Sequence, residues 1–288
     1  MINKMIIGKK EFLFGGHTYV MGILNVTPDS FSDGGSYNTL DAALRQAERL
    51  EKSGCDILDI GGESTRPGYT KLSDEEEIGR VAPVIEAVSA RFDLPISLDT
   101  YKAGVARAGL EAGADLINDI WGLRYDDGQM AQVIAQYDVP CCLMHNRQKT
   151  EYGNLIPEII DDLKITLEIA QKAGIKRDKI ILDPGVGFGK TCEHNLQVLA
   201  HMKDLSDPET GGLDYPWLLG ASRKSVIGLT LGLPANEREE GTLVTTVMAV
   251  EAGWQFVRVH DVEKSARAIR MTEAILGSRQ RVEEIWIR

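Results

Sequence analysis

Three acidic or amide side chains stand directly after short apolar segments that lie far apart along the chain. They are Asp99, Asn118 and Asp183, and they supply hydrogen-bond acceptors and one amide that can also donate. If the fold brings them together, they suit the edge of a planar heterocycle that carries several N–H groups. For each residue alone the alternative is an N-terminal helix cap, because Asn and Asp are enriched at that position.

A second set of side chains supplies donors and positive charge. Lys224, Arg258 and His260 follow other apolar segments, with Arg66 and Arg223 near them in the predicted architecture. This set suits an anion, most of all phosphate or pyrophosphate, because Arg can contact two oxygens at once. Arg66 and Arg223 could each instead be ordinary surface charges. We expect the five side chains to gather at one rim of the fold.

The elements that must position these residues follow from hydrophobic patterning. Short apolar segments alternate with longer amphipathic ones from end to end, which is the pattern of repeated βα units. We predict strands over 19–24, 57–60, 96–99, 115–118, 141–144, 179–182, 217–220 and 255–259. We predict helices over 39–53, 74–92, 102–111, 127–137, 157–173, 193–202, 238–252 and 262–276.

Eight consecutive βα units predict an α/β fold, a single (β/α)8 TIM barrel over 17–278 within one domain of 288 residues. Residues 1–16 read as an N-terminal β-hairpin, with Gly15-Gly16 as a turn. A weak repeat supports the barrel, since a glycine ends every second predicted helix just before a strand. These glycines, which suit a left-handed helix end, are Gly54, Gly113, Gly174 and Gly253. A doubly wound open sheet is the alternative.

In such a barrel the active site lies at the carboxyl ends of the strands, where the loops after them carry the chemistry. Two of these loops, 25–35 and 61–68, are rich in turn-forming residues and suit a role as lids. A third, 183–191, imitates a phosphate-binding loop but has Pro184 where that motif requires glycine. We interpret it as a turn whose glycines let the backbone and Phe188 approach a flat ligand.

Composition excludes several classes of protein. The chain has 32 Lys and Arg against 43 Asp and Glu, a net charge of −11, which argues against nucleic acid as the main partner. The N-terminal residues lack the apolar core of a signal peptide, and no apolar run approaches the length of a membrane span. The four cysteines are too few for a disulfide scaffold. We therefore expect a cytoplasmic protein with reduced thiols and no membrane association.

Seven motifs resemble those of the dihydropteroate synthase family of pterin-binding barrels. They are GILNVTPDSFSDGG (22–35), DIGGESTRPG (59–68), NDI (118–120), LMH (143–145), LDPGVGFGKT (182–191), SRKS (222–225) and RVHD (258–261). The two long loop motifs are highly specific, and the resemblance extends over about 22–262. The segment from Met144 to Arg147 is more similar to the Gram-positive form of the family than to the enterobacterial form.

The resemblance implies a transferase of folate biosynthesis. The enzyme would join p-aminobenzoate to 6-hydroxymethyl-7,8-dihydropterin pyrophosphate, releasing pyrophosphate and passing through a pterin methylene cation. Residues implied for the pterin ring are Asp99, Asn118, Asp183, Phe188 and Lys224; those for the pyrophosphate are Thr65, Arg258 and His260, with Mg²⁺ at Asn25. Residues implied for p-aminobenzoate and its loops are Phe31, Ser64, Arg66, Pro67 and Ser222.

Within this expected mechanism, two groups of side chains divide the catalytic work. Lys224, Arg258 and His260 would stabilise the leaving group, while Asp99 and Asp183 would stabilise the cation. The resemblance also implies a homodimer formed through helices near the C-terminus, for which 247–252 and 268–275 are candidates. The same apolar stripes are what a barrel needs to cover its strands.

Two other functions compete with this interpretation. Corrinoid-dependent methyltransferases that use methyltetrahydrofolate share the pterin-binding barrel, but they have no use for a pyrophosphate cluster. The residues Arg258 and His260 and the loop 65–68 therefore favour the synthase. The other competitor is a catalytically silent barrel that binds pterin or acts as a scaffold, which an intact set of site residues disfavours.

Overall fold

The computed structural model describes residues 2–26, 36–63 and 71–286 of the chain. The chain begins with an antiparallel hairpin of β1 (Lys4–Ile7) and β2 (Lys10–Leu13). Eight parallel strands then alternate with helices. These strands are β3 (Tyr19–Asn25), β4 (Ile57–Gly61), β5 (Ile96–Asp99), β6 (Leu116–Asp119), β7 (Cys141–Met144), β8 (Ile180–Asp183), β9 (Leu218–Leu219) and β10 (Phe256–Val259).

The eight parallel strands form a nearly closed barrel. Within the described chain, their order is β8-β7-β6-β5-β4-β3-β10-β9. The two ends of this sheet meet where Leu182 of β8 forms a parallel bridge with Trp217, which directly precedes β9. The backbone N–H of Leu182 donates to the carbonyl of Pro216 at 2.9 Å. The predicted barrel is confirmed, and the open-sheet alternative is wrong.

Helices surround the barrel and carry the chain back from each strand to the next. They are α1 (Ser36–Lys52), α2 (Asp74–Arg91), α3 (Ala103–Glu111), α4 (Gln129–Tyr137), α5 (Leu155–Ala173), α6 (Cys192–Ala200), α7 (Met202–Ser206), α8 (Ser225–Leu231), α9 (Glu239–Glu251) and α10 (Val262–Trp286). Short 3-10 turns lie at Arg177–Lys179, Pro208–Thr210 and Ala235–Glu237. Among the described helices, none is both long and apolar enough to cross a membrane.

The hairpin closes the amino-terminal end of the barrel. Met5, Ile7 and Phe12 of the hairpin are buried in one cluster with an inward-facing residue from each of seven barrel strands. Those residues are Met21, Ile57, Leu116, Cys142, Ile181, Leu218 and Phe256. This layer is apolar and fully packed, so it seals one end of the barrel and leaves the carboxyl ends of the strands for polar side chains.

The hairpin was predicted, but its turn was not. We expected Gly15-Gly16 to form the turn, whereas Ile7 pairs with Lys10 across a two-residue turn at Gly8-Lys9. Gly8 has a φ of +59°, a left-handed conformation that glycine adopts without the strain of a side chain. Residues 15 and 16 form a bend that leads from the hairpin into β3.

Helix boundaries differ from the sequence predictions at several places: α1 begins three residues earlier, at Ser36, and α10 ends ten residues later, at Trp286. The predicted helix over 193–202 is two helices, α6 and α7, which meet at His201. The short helix α8, directly after β9, was not predicted at all. The glycines at 54, 113, 174 and 253 all have φ values between +75° and +112°, which confirms their predicted left-handed conformation.

Candidate active site

Alternate residues of each barrel strand face the interior, and the side chains change from apolar to polar toward the carboxyl ends. In β4 the inward residues are Ile57, Asp59 and Gly61, and in β5 they are Ser97 and Asp99. The pairing of Asp99 with Gly61 on one side and Asn118 on the other places these residues at one level. The first set of predicted site residues therefore converges at this end of the barrel.

Arg258 of β10 is the centre of an ion-pair network across the barrel mouth. Its Nε donates to Asp59 Oδ2 at 2.6 Å, and its Nη2 donates to Asp99 Oδ2 at 2.7 Å. The other Asp59 oxygen accepts from Ser97 Oγ at 2.6 Å and from Asn118 Nδ2 at 3.4 Å. Arg258, which the sequence assigned to an anion, and Asp99 and Asn118, which it assigned to a heterocycle, thus belong to one connected network.

Asp183 and Lys224 form the second charged pair of the mouth. A methyl group placed on Gly220, just after β9, would lie 3.5 Å from Asp183 Oδ2 and 3.7 Å from Lys224 Nζ. Both side chains therefore lie close to the backbone of Gly220, which has no side chain of its own. Lys224 Nζ donates to the carbonyl of Val186 at 2.5 Å, and Asp183 Oδ1 accepts from the N–H of Gly185 at 2.7 Å.

Burial perturbs the charges of this network. It raises the pKa of Asp99, which the positive charge of Arg258 opposes, and it raises the pKa of Asp183, which Lys224 opposes. Burial lowers the pKa of Lys224 to about 8, against the attraction of Asp183. It also acts to lower the pKa of Arg258, but Asp59 and Asp99 outweigh it and raise that pKa. Three acidic and two basic groups thus interact with one another at the barrel mouth.

An apolar wall stands beside the charged network. Tyr101, Ile120 and Met144 form a buried cluster, against which the partly buried rings of Trp121 and Phe188 pack. These side chains follow β5, β6, β7 and β8, so they lie at the same end of the barrel as the charged groups. A wall of aromatic and thioether groups next to hydrogen-bonding carboxylates suits a flat, polar-edged heterocycle.

Ser222 and His260 lie side by side at the mouth. The Ser222 hydroxyl accepts from the backbone N–H of His260 at 3.2 Å and lies 3.0 Å from His260 Nδ1. The hydroxyl can therefore donate to Nδ1, which leaves the imidazole proton on Nε2. The sequence assigned these two residues to different substrates, and the structure places them in contact.

Arg223 does not join the other cations at the mouth. Its backbone is left-handed, with φ at +56°, and its N–H donates to Thr242 Oγ1 at 3.1 Å. Its guanidinium lies 3.4 Å from a carboxylate oxygen of Glu239 on α9. Of the five cations expected to gather, Lys224 and Arg258 are close enough for their charges to interact, and His260 contacts Ser222. The Arg223 guanidinium instead binds Glu239 of α9, and Arg66 lies outside the described residues.

Five of the predicted site residues lie outside the described residues: Phe31, Ser64, Thr65, Arg66 and Pro67. The described residues that flank 64–70 are nevertheless joined. Glu63 Oε2 accepts from the N–H of Leu72 at 2.8 Å and from Lys102 Nζ at 2.7 Å. Lys102 also donates to Glu77 at 2.7 Å, and all three charged side chains of this cluster are buried.

Sequence reasoning missed Asp59, Ser97, Tyr101 and Met144. The first two lie in the interior of strands, whereas the sequence prediction rests on residues at strand ends. The sequence does indicate Asp59, because it is a carboxylate inside an otherwise apolar strand. It lies two residues after Ile57, so both side chains point to the same face of the strand. Tyr101 and Met144 looked like ordinary core residues, because an apolar ligand wall has no separate sequence signature.

Known proteins with similar sequences and structures agree with this fold and this site. The model of a family described as "Pterin binding enzyme" matches residues 21–260, which include every strand of the barrel mouth except the first two residues of β3. The class defined by the barrel and its polar mouth is therefore that of the pterin-binding enzymes.

Within that class the relatives are specific. A dihydropteroate synthase of Clostridium beijerinckii is 55% identical over 273 residues, which cover 94% of this chain and 99% of the relative. A dihydropteroate synthase of Bacillus subtilis is 50% identical over 260 residues, covering 90% and 89%. The chain belongs to the dihydropteroate synthase family, whose members are transferases.

Solved structures agree with this membership. A dihydropteroate synthase from Clostridium difficile, solved in the presence of pteroic acid, has a TM-score of 0.87 at 50% identity and covers 91% of this chain and 98% of its own. A Xanthomonas albilineans dihydropteroate synthase solved with 4-aminobenzoic acid has a TM-score of 0.89 at 39% identity, covering 96% and 99%.

Proposed function

We propose that this protein condenses p-aminobenzoate with 6-hydroxymethyl-7,8-dihydropterin pyrophosphate to give 7,8-dihydropteroate and pyrophosphate. The observation that carries the proposal is the network in which Arg258 binds both Asp59 and Asp99 at the barrel mouth. In this network a carboxylate that can accept from a pterin, Asp99, is hydrogen-bonded to a cation that can bind the pyrophosphate, Arg258. The ligands of the two solved relatives, pteroic acid and 4-aminobenzoic acid, are a pterin–aminobenzoate compound and the second substrate.

The pterin ring binds between the apolar wall and the carboxylates. Its guanidine-like edge donates N–H groups to Asp183 and Asn118, while Asp99 and Lys224 contact the remainder of the ring. Phe188 and Met144 supply the flat apolar surface on which the ring rests. Burial raises the pKa values of Asp99 and Asp183, and hydrogen bonds donated by the ring would compensate both carboxylates for the loss of water.

Bond breaking follows from this placement. The C–O bond between the pterin methylene and pyrophosphate breaks, and its electron pair leaves on the pyrophosphate, which Lys224, Arg258 and His260 stabilise together with Thr65. The methylene cation delocalises into the ring, where Asp99 and Asp183 supply negative charge. The amine of p-aminobenzoate then forms the new C–N bond and loses one proton to solvent. A nucleophilic Cys or Ser has no part in these steps.

Magnesium is part of this proposal, and the donor chemistry of the chain limits how it binds. Asn25 offers one amide oxygen at the exposed end of β3, next to β4 and β10. Among the described residues, no group of three or more His, Cys, Asp or Glu side chains could hold a metal ion. Asn25 therefore fits Mg²⁺ only when the pyrophosphate and water supply the other oxygens, which is common for this ion. Bound there, the ion would neutralise charge on the leaving group.

The pocket for p-aminobenzoate is assigned to Ser222 and to the loops that contain Phe31, Ser64, Arg66 and Pro67. Ser222 supports the assignment because it lies beside His260, on the side of the mouth where the pyrophosphate leaves. The Glu63–Lys102 cluster supports it because it joins the two described flanks of 64–70. Loops closing there would exclude water from the cation.

We also propose a homodimer. Large apolar side chains are exposed on three consecutive helices of one side of the barrel, α8, α9 and α10. They are Leu229, Leu231, Val244, Met271 and Ile275, with Val244 and Met271 about as exposed, at 60% and 62%, as a polar residue would be. A second copy of the chain would bury this face.

Calorimetry tests the function proposed here. The protein, in Mg²⁺, is titrated with the pterin pyrophosphate and then with p-aminobenzoate, and the products are examined by mass spectrometry. Binding of both ligands with formation of dihydropteroate supports the proposal. Binding of the pterin without product indicates a silent barrel, and methyl transfer from methyltetrahydrofolate to a corrinoid indicates the competing enzyme class.

A further inference from the structure

The ammonium group of Lys190 is surrounded by three hydrogen-bond acceptors, one on the segment that follows β7 and two on the segment that follows β8. Its Nζ lies 2.8 Å from His145 Nδ1, 3.1 Å from the carbonyl oxygen of Gly185 and 3.2 Å from that of Phe188. Three contacts match the three protons of an ammonium group. Residues 185–190, which we call the Lys190 loop, therefore wrap around the charge of their own last residue.

The backbone of this loop lies directly on the segment that follows β7. Gly185 has a φ of +71°, and a methyl group added there would come within 1.9 Å of the carbonyl oxygen of His145. Gly189 has a φ of +54°, and a methyl group there would lie 2.4 Å from the carbonyl oxygen of Arg147. The glycines thus permit a close backbone approach that brings Lys190 within reach of His145.

His145 is completely buried and has a defined role in this contact. Because Nδ1 accepts from Lys190, the imidazole proton is on Nε2, which donates to Asp162 Oδ2 at 3.0 Å. Burial lowers the pKa of His145 to about 4, against the attraction of Asp162, which agrees with a neutral ring. Asp162 of α5 is held in turn by Arg147 Nε at 2.6 Å.

The opposite side of the same loop faces the site. The carbonyl of Val186 accepts from Lys224 Nζ at 2.5 Å, and the Phe188 ring centre lies 4.6 Å from the same nitrogen. A methyl group on Gly187 would lie 3.0 Å from the Lys224 side chain. The loop therefore sets both the position of the Lys224 ammonium and that of the aromatic surface for the pterin.

We propose that Lys190 is a positioning residue for the pterin half of the site: held by His145 and Asp162, its ammonium fixes the loop that places Phe188 and Lys224. This inference rests on the proposed function, since it assigns the loop to the pterin. The hydrogen bonds of Lys190 go to loop carbonyls and to His145, whereas Asp183 of the mouth acts on it only through its charge. Its loss should therefore weaken pterin binding and leave the affinity for p-aminobenzoate unchanged.

The charges around Lys190 are consistent with this role. Burial lowers the pKa of Lys190 to about 7; Asp183 opposes that effect, Lys224 and Arg147 add to it, and Asp162 opposes it. His145, which faces the same nitrogen, is neutral and accepts. An uncharged amine would retain only two donors for three acceptors, so the loop should loosen as pH rises above about 7.

The test compares Lys190→Met with the wild-type enzyme, using Lys172→Met on the exposed face of α5 as the matched control. The dissociation constant of the pterin pyrophosphate is measured by calorimetry, and KM is measured for each substrate. We expect Lys190→Met to weaken pterin binding by about tenfold to a hundredfold, the scale for hydrogen bonds to a charged group, with KM for p-aminobenzoate within about twofold of wild type. Unchanged pterin binding, or an equal loss for both substrates, overturns the proposal.

A second pair of variants decides the matter if Lys190→Met does not fold. His145→Gln keeps an acceptor for Lys190 and His145→Leu removes it, so pterin binding should be weaker in the Leu variant than in the Gln variant. Equal pterin affinity in these two variants contradicts the proposal. Because binding is measured directly, a wild-type protein that binds the pterin but forms no product refutes the proposed function without deciding the role of Lys190.

Discussion

Arg258 and Asp99 share a hydrogen bond of 2.7 Å between Nη2 and Oδ2, which joins the cation assigned to the pyrophosphate to a carboxylate assigned to the pterin. The bond that breaks in the proposed reaction lies between these two parts of the substrate. In the proposed reaction Arg258 stabilises the leaving pyrophosphate and Asp99 stabilises the methylene cation, and one ion pair joins the two side chains. Asp59, which holds the other edge of the guanidinium, keeps Arg258 oriented across the mouth.

Replacing Asp99 tests the charge contribution directly. Asp99→Asn keeps the size of the side chain and removes its charge, so we expect an intact fold and a loss of turnover of about 100-fold or more. Turnover is measured by pyrophosphate release, and folding by circular dichroism and thermal unfolding. Asp178→Asn, on the exposed turn before β8, is the control and should retain wild-type turnover. Wild-type turnover in Asp99→Asn would refute the assignment of this residue.

The pH dependence of Lys224 predicts opposite trends for activity and stability. Its pKa is lowered to about 8 in the folded protein, from 10.5, by burial. The ammonium is lost above pH about 8, so kcat/KM for the pterin pyrophosphate should fall there. Between pH about 8 and 10.5 the unfolded chain binds more protons at this residue, so its contribution to the free energy of unfolding should rise with pH.

Lys224→Met removes the titrating amine, so comparison with the wild type isolates the contribution of Lys224 from those of the other titratable groups. The free energy of unfolding is measured in urea at several pH values for both proteins. From pH 8 to pH 10, that of the wild type should rise relative to that of the variant. A difference that stays constant across this interval, or changes in the other direction, would show that the folded protein does not lower the pKa of Lys224.

Asn25 should account for the metal dependence of pyrophosphate binding. In Asn25→Ala, we expect the pterin pyrophosphate to bind equally weakly with Mg²⁺ and with EDTA, because the one protein oxygen for the ion is gone. A pterin without pyrophosphate should bind this variant and the wild type alike. Asn236→Ala, at an exposed position after α8, serves as the control. Full Mg²⁺ dependence in Asn25→Ala would place the metal elsewhere.

The exposed apolar face of α8, α9 and α10 should be the dimer interface. Val244→Glu introduces a charge at its centre and should convert a dimer into a monomer in light scattering coupled to size-exclusion chromatography. Ile165→Glu, on α5, changes a residue of comparable exposure and should leave the dimer intact. A wild-type monomer, or dissociation by both variants, would contradict this assignment.

Much of the fold followed from the sequence because the barrel strands are short apolar segments bounded by polar residues. For β5 and β7 the predicted bounds agree with the structure, and the other barrel strands begin and end within one residue of prediction. Helix α8 was missed because it has only seven residues, and its apolar side chains are divided between the core, where Val226 and Ile227 are buried, and the surface, where Leu229 and Leu231 are exposed. The hairpin turn was misplaced because Gly15-Gly16 and Gly8 carry the same local signal, and only strand register distinguishes them.

The site followed from the sequence only where function places a polar residue at a strand end. Asp99, Asn118, Asp183 and Arg258 could be found in this way, and they converge. Asp59 could not, because its importance comes from Arg258, a residue 199 positions away that binds it across the barrel. Nor could the orientation of Arg223, which depends on a left-handed backbone and on Glu239 of another helix.

Pyrophosphate release by the purified protein, measured continuously in Mg²⁺ with and without p-aminobenzoate, tests the central claim most directly. We expect sustained release over many turnovers to require both substrates, with one pyrophosphate for each dihydropteroate formed. Sustained release at the same rate without p-aminobenzoate, or none with both substrates present, would contradict the proposed function.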